Sequence, residues 1–303
     1  MIDTVVLWRD LMKTFITCLM FIISSYSFAA TEKVVYGVDD RKDIFESTSA
    51  LYKTLAISTA AMVGNTHLET QTDGSIQVTG PTLEEDGVCS DARFAKQVAS
   101  ASCSGFLVGD QYLVTAGHCI TSISDCERYS WVFGFSNDAA EKSVHNIPAK
   151  DVYTCTEVIS RTLDRATMDD YALVKLDRKV ADRAPLKFRK TGKIADKADI
   201  VVIGHPSGLP VKIADGANVR TNKNKYYFQA TLDTFGGNSG SAVFDSKTGL
   251  VEGILVRGET DYVGDPVQNC TRPKVCKETE CRGEDVTRIT NIKELMKMST
   301  AGK

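Results

Sequence analysis

The sequence predicts a mostly antiparallel all-β chain, arranged as a sandwich or as barrels, with little helix. Three observations carry this reading. Eight short runs are aromatic or β-branched and are bounded by Gly, Asp or Asn. Only one stretch, at the C-terminal end, has sustained helical spacing. A polar and basic stretch, "DRAPLKFRKTGK", separates two strand-rich halves. A domain boundary is therefore placed near residue 190, with an N-terminal segment and first β unit over 31–190. The second β unit and a terminal helix occupy 191–303.

Residues 1–30 read as an export signal. Lys13 precedes the apolar stretch "TFITCLMFIISSY", and "SFAA" supplies small residues for cleavage after Ala29 or Ala30. Met12 opens "MKTF" and is the better translation start. The apolar core is too short for a membrane span. Thr17 before Cys18 does not suit a lipoprotein site, so no stable membrane anchor is expected. "SALYKTLAISTAAMV", near residue 50, is a candidate helix. The strand runs follow in order: "SGFLVG", "YLVTAG", "WVFGF", "YALVKL", "DIVVIG", "YYFQATL", "SAVFD" and "GLVEGILV". "VTRITNIKELMKMS" then places Ile289, Ile292, Leu295 and Met296 at helical spacing.

Apolar content of 43% and charged content of 25% in 303 residues support an ordinary globular core. A formal net charge of −3, with no basic run, gives no nucleic-acid footprint. Of nine cysteines, Cys18 lies in the signal. The rest are Cys89, Cys103, Cys119, Cys126, Cys155, Cys270, Cys276 and Cys281. An even count in an exported chain points to disulfides. The spacings lack the paired C-x-x-C of a zinc site, so no metal is expected. No cofactor is implied.

Three motifs carry chemistry. "CSGFLVGDQYLVTAGHC" sets His118 directly before Cys119. "FGGNSGSAVF" crowds glycines around Ser239, where backbone N–H groups can turn toward a developing oxyanion. A serine needs a base to take its proton. "MDDYALVKL" opens a strand with Asp170, whose carboxylate can hold an imidazole in the tautomer that accepts that proton. Asp169 offers the same group one residue further from the strand. His67, His145 and His205 read as structural. The G-x-S-x-G pattern is not met, because Ser241 stands at its last position.

Together these motifs run His, Asp, Ser in chain order. Over roughly residues 100–290 the chain resembles trypsin-like serine endopeptidases of the chymotrypsin fold. "CSG…TAGHC" resembles the family's first bridge and catalytic histidine, "DYALVKL" its aspartate strand and "GGNSGS" its nucleophile loop. "VVYGVDDR" at Val34–Arg41 and "VVIGHPSG" resemble the bacterial glutamyl-endopeptidase branch, as does Asn238 before the nucleophile.

The resemblance implies two antiparallel six-stranded barrels with a C-terminal helix and a triad of His118, Asp170 and Ser239. It implies an oxyanion hole made by the N–H groups of Gly237 and Ser239. It also implies a Cys103–Cys119 bridge, with Cys126–Cys155 as a candidate second one. The pairing of the other four cysteines stays open. Asp233, six residues before Ser239, resembles the acidic base of a specificity pocket, which implies cleavage after Arg or Lys. Leu255 stands where the glutamyl branch carries its acid-reading histidine. Gly258 and Arg257 are expected beside the substrate, with Arg257 able to pair with Asp233 or to receive an acidic side chain.

The expected activity is a secreted or periplasmic serine endopeptidase, a monomer acting on protein or peptide through an acyl-enzyme. Processing at Lys33–Val34 would make it a zymogen. The alternatives are an idle homologue acting as a binding protein, a Glu-preferring endopeptidase, and a periplasmic chaperone-protease. The last class commonly carries a further peptide-binding domain.

Overall fold

The computed structural model describes residues 34–301. The export signal expected over 1–30, and Lys33, lie outside the described residues. Thirteen strands form the body of two large sheets, and the short strand Arg41–Lys42 adds to the second. In the first are β1 (Thr59–Gly64), β2 (Ala101–Gly109), β3 (Tyr112–Thr115), β4 (Tyr129–Phe133), β5 (Val152–Tyr153), β6 (Cys155–Leu163) and β7 (Asp170–Leu176). The order across it is β5-β4-β1-β2-β3-β7-β6. In the second are β8 (Asp199–Gly204), β9 (Lys212–Thr221), β10 (Tyr227–Ala230), β11 (Ala242–Asp245), β12 (Val251–Arg257) and β13 (Glu284–Arg288). Their order is β8-β11-β12-β13-β10-β9, and β8 also pairs with β9.

The second sheet is therefore a closed six-stranded barrel, which leaves no free edge in the ring. The first is curved but open, since β5 and β6 pair only with β4 and β7 respectively. This differs from two closed barrels. At its open side the disulfide Cys126–Cys155 ties the helical turn before β4 to the first residue of β6. Residues 177–198 hold no strand and connect the two sheets. The expected boundary near 190 falls within them. The N-terminal segment crosses that boundary, because Arg41–Lys42 pairs with β9 in the second sheet.

The candidate helix near residue 50 forms only over Ala50–Ala56. From Thr59 the chain is β1, paired on both sides by β2 and β4. Two ladders of hydrogen bonds outweigh the helix preference of Ala60, Ala61 and Met62. Similarly, "VTR" of the terminal motif belongs to β13, a 3-10 turn follows over Ile289–Asn291, and α-helix begins only at Lys293.

The larger core joins Phe106, Leu113 and Trp131 of the first sheet to Ile203, Phe244 and Ile254 of the second. The terminal helix contributes Leu295 to it. A buried ion pair anchors the N-terminal segment. Lys212 Nζ donates to Asp43 Oδ1 at 2.5 Å, to Gln97 Oε1 at 2.7 Å and to Pro210 O at 3.1 Å. Burial pulls the Lys212 ammonium down to about 8, against the attraction of Asp43.

All eight cysteines named above are bridged: Cys89–Cys270, Cys103–Cys119, Cys126–Cys155 and Cys276–Cys281. Among the described residues no helix is long and apolar enough to cross a membrane.

Candidate active site

His118 sits in the turn after β3, and Asp170 is the first residue of β7, the neighbour of β3. The pairing of these strands delivers the carboxylate to the imidazole. His118 Nδ1 lies 2.8 Å from Asp170 Oδ2. Asp170 Oδ1 accepts the Gly117 N–H at 2.6 Å and the His118 N–H at 3.2 Å. One carboxylate thus fixes both the ring and its backbone. An ionised carboxylate only accepts, so Nδ1 carries the proton and Nε2 is left as the acceptor.

Two further contacts hold this turn. Arg161 Nε donates to Gly117 O and Ile120 O, each at 2.7 Å. Gly117 packs so tightly that a Cβ there would stand 2.0 Å from Thr162 O.

Asp169 is turned elsewhere. It accepts from Asn291 Nδ2 at 2.8 Å, and burial holds its carboxyl above the ordinary range. Asp170 is the one of the two that meets His118.

The Ser239 loop packs against the same turn. Ser239 O accepts the Ser104 N–H at 2.8 Å and lies 3.6 Å from Cys119 Sγ, one residue past His118. Gly240 N–H donates to Leu255 O at 2.8 Å, and Leu255 N–H donates to Ser241 O at 2.9 Å. The loop is thereby clamped between β2 and β12.

Gly237 has φ +86°, and a Cβ there would lie 2.4 Å from His205 O. Only glycine fits this backbone. The Gly236 carbonyl accepts from Ser207 N–H. In a trans peptide the Gly237 N–H therefore points the opposite way. Asp261 Oδ2, which the sequence reading did not single out, accepts the Gly236 N–H at 2.7 Å. Asn238 is buried and braces the loop, accepting from Ser241 Oγ at 3.1 Å.

The residues expected at a specificity pocket are distributed differently. Asp233 is 4% exposed, and its two oxygens accept the Tyr36 N–H at 2.6 Å and the Asp40 N–H at 2.7 Å. Burial pushes its carboxyl up to about 7, with the two amides opposing the shift. The reading of Asp233 as a pocket base is corrected: the carboxylate holds the N-terminal segment, and both its oxygens are engaged there.

Leu255 is buried among Val243, Phe228 and Val286 in the second core. It faces apolar side chains rather than a substrate. Arg257 does not meet Asp233. Its Nε donates to Asp285 Oδ2 at 2.9 Å and its Nη2 to Met168 O at 2.6 Å. Nη1 lies 4.0 Å from Asp170 Oδ2. Gly258 is half-buried at the end of β12.

The N-terminal segment lines this region. Val34, Val35 and Tyr36 are at most 2% exposed, and Val35–Tyr36 pairs in parallel with Val275–Cys276. Val34 O accepts the Thr234 N–H at 3.1 Å. Tyr36 Oη accepts the Gly283 N–H at 2.8 Å. Burial, with the nearby Glu284 charge, holds the Tyr36 phenol above its ordinary range.

His145 and His205 are packed away, and His67 is half-buried at a short 3-10 turn. His205 stacks on Phe135 at 5.9 Å, and His145 meets the same ring edge-on at 4.8 Å. Burial pulls both imidazoles down to about 4. Cys103, His118 and Cys119 come close enough to share an ion, but both sulfurs are committed to a disulfide.

A comparison with protein-family models matches residues 103–254 to the trypsin-like peptidase domain. The chain belongs to this family. It is a serine endopeptidase by class, and its substrate is protein. Among solved structures, a Glu endopeptidase in complex with MPD aligns with TM-score 0.50 and 17% identity. That alignment covers 88% of this peptidase and 100% of the other chain. The VesB protease of Vibrio cholerae aligns with TM-score 0.50 and 14% identity, over 86% of this chain and 68% of that one. At these identities the likeness is one of fold. No curated protein matches the peptidase.

Besides Asp261, two buried carboxylates near the site escaped the sequence reading, Glu284 and Asp285. Both are fully buried carboxylates at the start of β13. The signal was present in "GEDVTR", where two acids enter a strand-forming run.

Proposed function

We propose that this peptidase works outside the cytoplasm, cutting peptide bonds through an acyl-enzyme carried on Ser239. His118 is the general base, Asp170 orients it, and the N–H groups of Gly237 and Ser239 stabilise the oxyanion. The observation that carries this reading is the Asp170 carboxylate. It binds the His118 ring at 2.8 Å and the Gly117 and His118 amides at once.

The chemistry follows from that arrangement. Nε2 takes the Ser239 hydroxyl proton as Oγ attacks the scissile carbonyl. The imidazolium formed is stabilised by Asp170. Negative charge collects on the former carbonyl oxygen, where preformed N–H dipoles act without reorganisation. Collapse of the intermediate passes the proton from His118 to the leaving amine. Water then repeats the sequence on the acyl-enzyme and releases Ser239.

The four disulfides support an oxidising compartment. The buried Val34–Tyr36 segment supports processing at Lys33–Val34, since a strand this deep in the fold suits a defined mature terminus. Labelling with a fluorophosphonate probe tests the catalytic reading. Wild type is expected to react and Ser239→Ala not to; a wild-type protein that stays unlabelled overturns it.

A further inference from the structure

We propose that Arg257 is a positioning residue of the triad: it holds the Asp170 carboxylate and the backbone leading into it, and its charge sets the acid limit of activity. The inference rests on the catalytic reading of His118, Asp170 and Ser239. It gives Arg257 a role on the triad in place of the substrate contact expected from the sequence.

Arg257 ends β12, and strand pairing sets it across from Asp285, the second residue of β13. Asp285 is 0% exposed and fixes the guanidinium. Its Oδ2 accepts from Arg257 Nε at 2.9 Å, while its Oδ1 accepts from Gln229 Nε2 at 2.9 Å. The Tyr227 ring centre lies 5.5 Å from the guanidinium carbon. Held in this way, the fork reaches from the second sheet to the first. Nη2 donates to Met168 O at 2.6 Å, and Nη1 lies 4.0 Å from Asp170 Oδ2. Met168 stands two residues before Asp170 and has φ +61°, a backbone that a non-glycine residue keeps only where its surroundings fix it. Each of the three nitrogens has its own partner, a division that the single ammonium of a lysine cannot reproduce.

Asp170 Oδ2 is also the oxygen that meets His118 Nδ1, at 2.8 Å. One carboxylate oxygen therefore faces a fixed cation and the ring that must become a cation during the reaction. A like charge disfavours the second, so removing Arg257 makes protonation of His118 easier. The side chains are 15% exposed for Arg257 and 4% for Asp170, so water screens this field only in part. The other charges around the triad are committed elsewhere. Asp169 accepts from Asn291, and Arg282 donates to Asp285. Asp285 offsets part of the Arg257 charge. Arg161, whose Nε donates to Gly117 O and Ile120 O, adds positive charge at the His118 turn and stays in place in every variant below.

The test is the pH dependence of kcat/KM on a quenched fluorogenic peptide that the wild type cleaves, made in versions with acidic and neutral side chains. Arg257→Gln is expected to move the acid limb up by about one pH unit. It is also expected to lower the plateau kcat by about 10-fold or more, through a looser Asp170, with little change in KM and the same loss on both peptides. Arg257→Lys keeps the charge and loses the fork, so it is expected to share the loss of kcat while the limb stays in place. Mere structural support would lower kcat in both variants and move the limb in neither. A second readout needs no turnover. In Ser239→Ala, the His118 ring proton followed by NMR, and assigned by its absence in His118→Ala, is expected to titrate about one pH unit higher once Arg257→Gln is added. A cooperative thermal transition establishes that Arg257→Gln is folded. If it is not, Arg257→Lys decides, and full turnover in that variant overturns the proposal. The proposal is also overturned if the limb and the ring titration stay put in Arg257→Gln, or if the loss falls on KM for the acidic peptide alone, which would make Arg257 a substrate contact. Failure of the catalytic reading shows separately, as absent fluorophosphonate labelling, and the ring titration still decides the effect of Arg257.

Discussion

Replacing Asp170 by Asn separates the catalytic role of this carboxylate from its structural one. Asp170 Oδ1 accepts two backbone N–H groups, from Gly117 at 2.6 Å and His118 at 3.2 Å. In the variant the amide oxygen must take that side, because two donors face it. The amide NH2 then replaces Oδ2, 2.8 Å from His118 Nδ1. Two donors would meet, so the ring moves its proton to Nε2 and loses the acceptor for the Ser239 proton. The same reversal in a comparable triad costs about four orders of magnitude in kcat, or about 5.5 kcal/mol at about 1.36 kcal/mol per tenfold. Stability is expected to fall by only about 1 kcal/mol, since the amide contacts survive. The assay pairs peptide hydrolysis with urea unfolding. Near-normal turnover in Asp170→Asn, with loss in Asp169→Asn, would refute the assignment of the acid. A loss of activity matched by unfolding would refute the separation of roles.

Three further outcomes follow from other parts of the molecule. His145 and His205 are held down to about 4 by burial, so the unfolded chain takes up their protons first as pH falls below about 6.5. Their contribution is complete above that pH and is lost toward pH 4, about 3 kcal/mol each. Asp233, raised to about 7, acts in the opposite sense over part of this window. Comparing Ser239→Ala with and without His145→Phe isolates one share, and parallel stability curves from pH 4 to 7.5 would sink the idea. Removing the Cys103–Cys119 bridge, with its separation of 16 residues, is expected to cost about 3 kcal/mol and to impair turnover through His118; peptide mapping that finds both as free thiols contradicts this. N-terminal sequencing of the active enzyme is expected to begin at Val34, whereas full activity with a start at Ala30 or Thr31 rejects the zymogen reading.

The sequence by itself determined the class of fold and the catalytic motifs. Short β-branched runs with turn residues between them encode strands locally. The glycines around Ser239 and the strand opening at Asp170 are local requirements too, so their chemistry is legible in ten residues. The use of an isolated carboxylate is not local. Asp233 stands where a pocket acid was expected, but its donors are Tyr36 and Asp40, 197 and 193 residues away in the chain. Only the docking of the N-terminal segment decided its role. The same docking brings Val34 onto Thr234, and strand pairing sets Glu284 over Gly258. Cysteine pairing divides in the same way. Cys103–Cys119 ties β2 to the turn after β3, and the resemblance of its motif to the family implied it. Cys89–Cys270, separated by 181 residues, exists only because the chain folds back on itself. Closure of one sheet and not the other was likewise a tertiary outcome. The edge strands β8 and β9 pair with each other in the second sheet, whereas β5 and β6, equally consecutive in the chain, do not pair in the first.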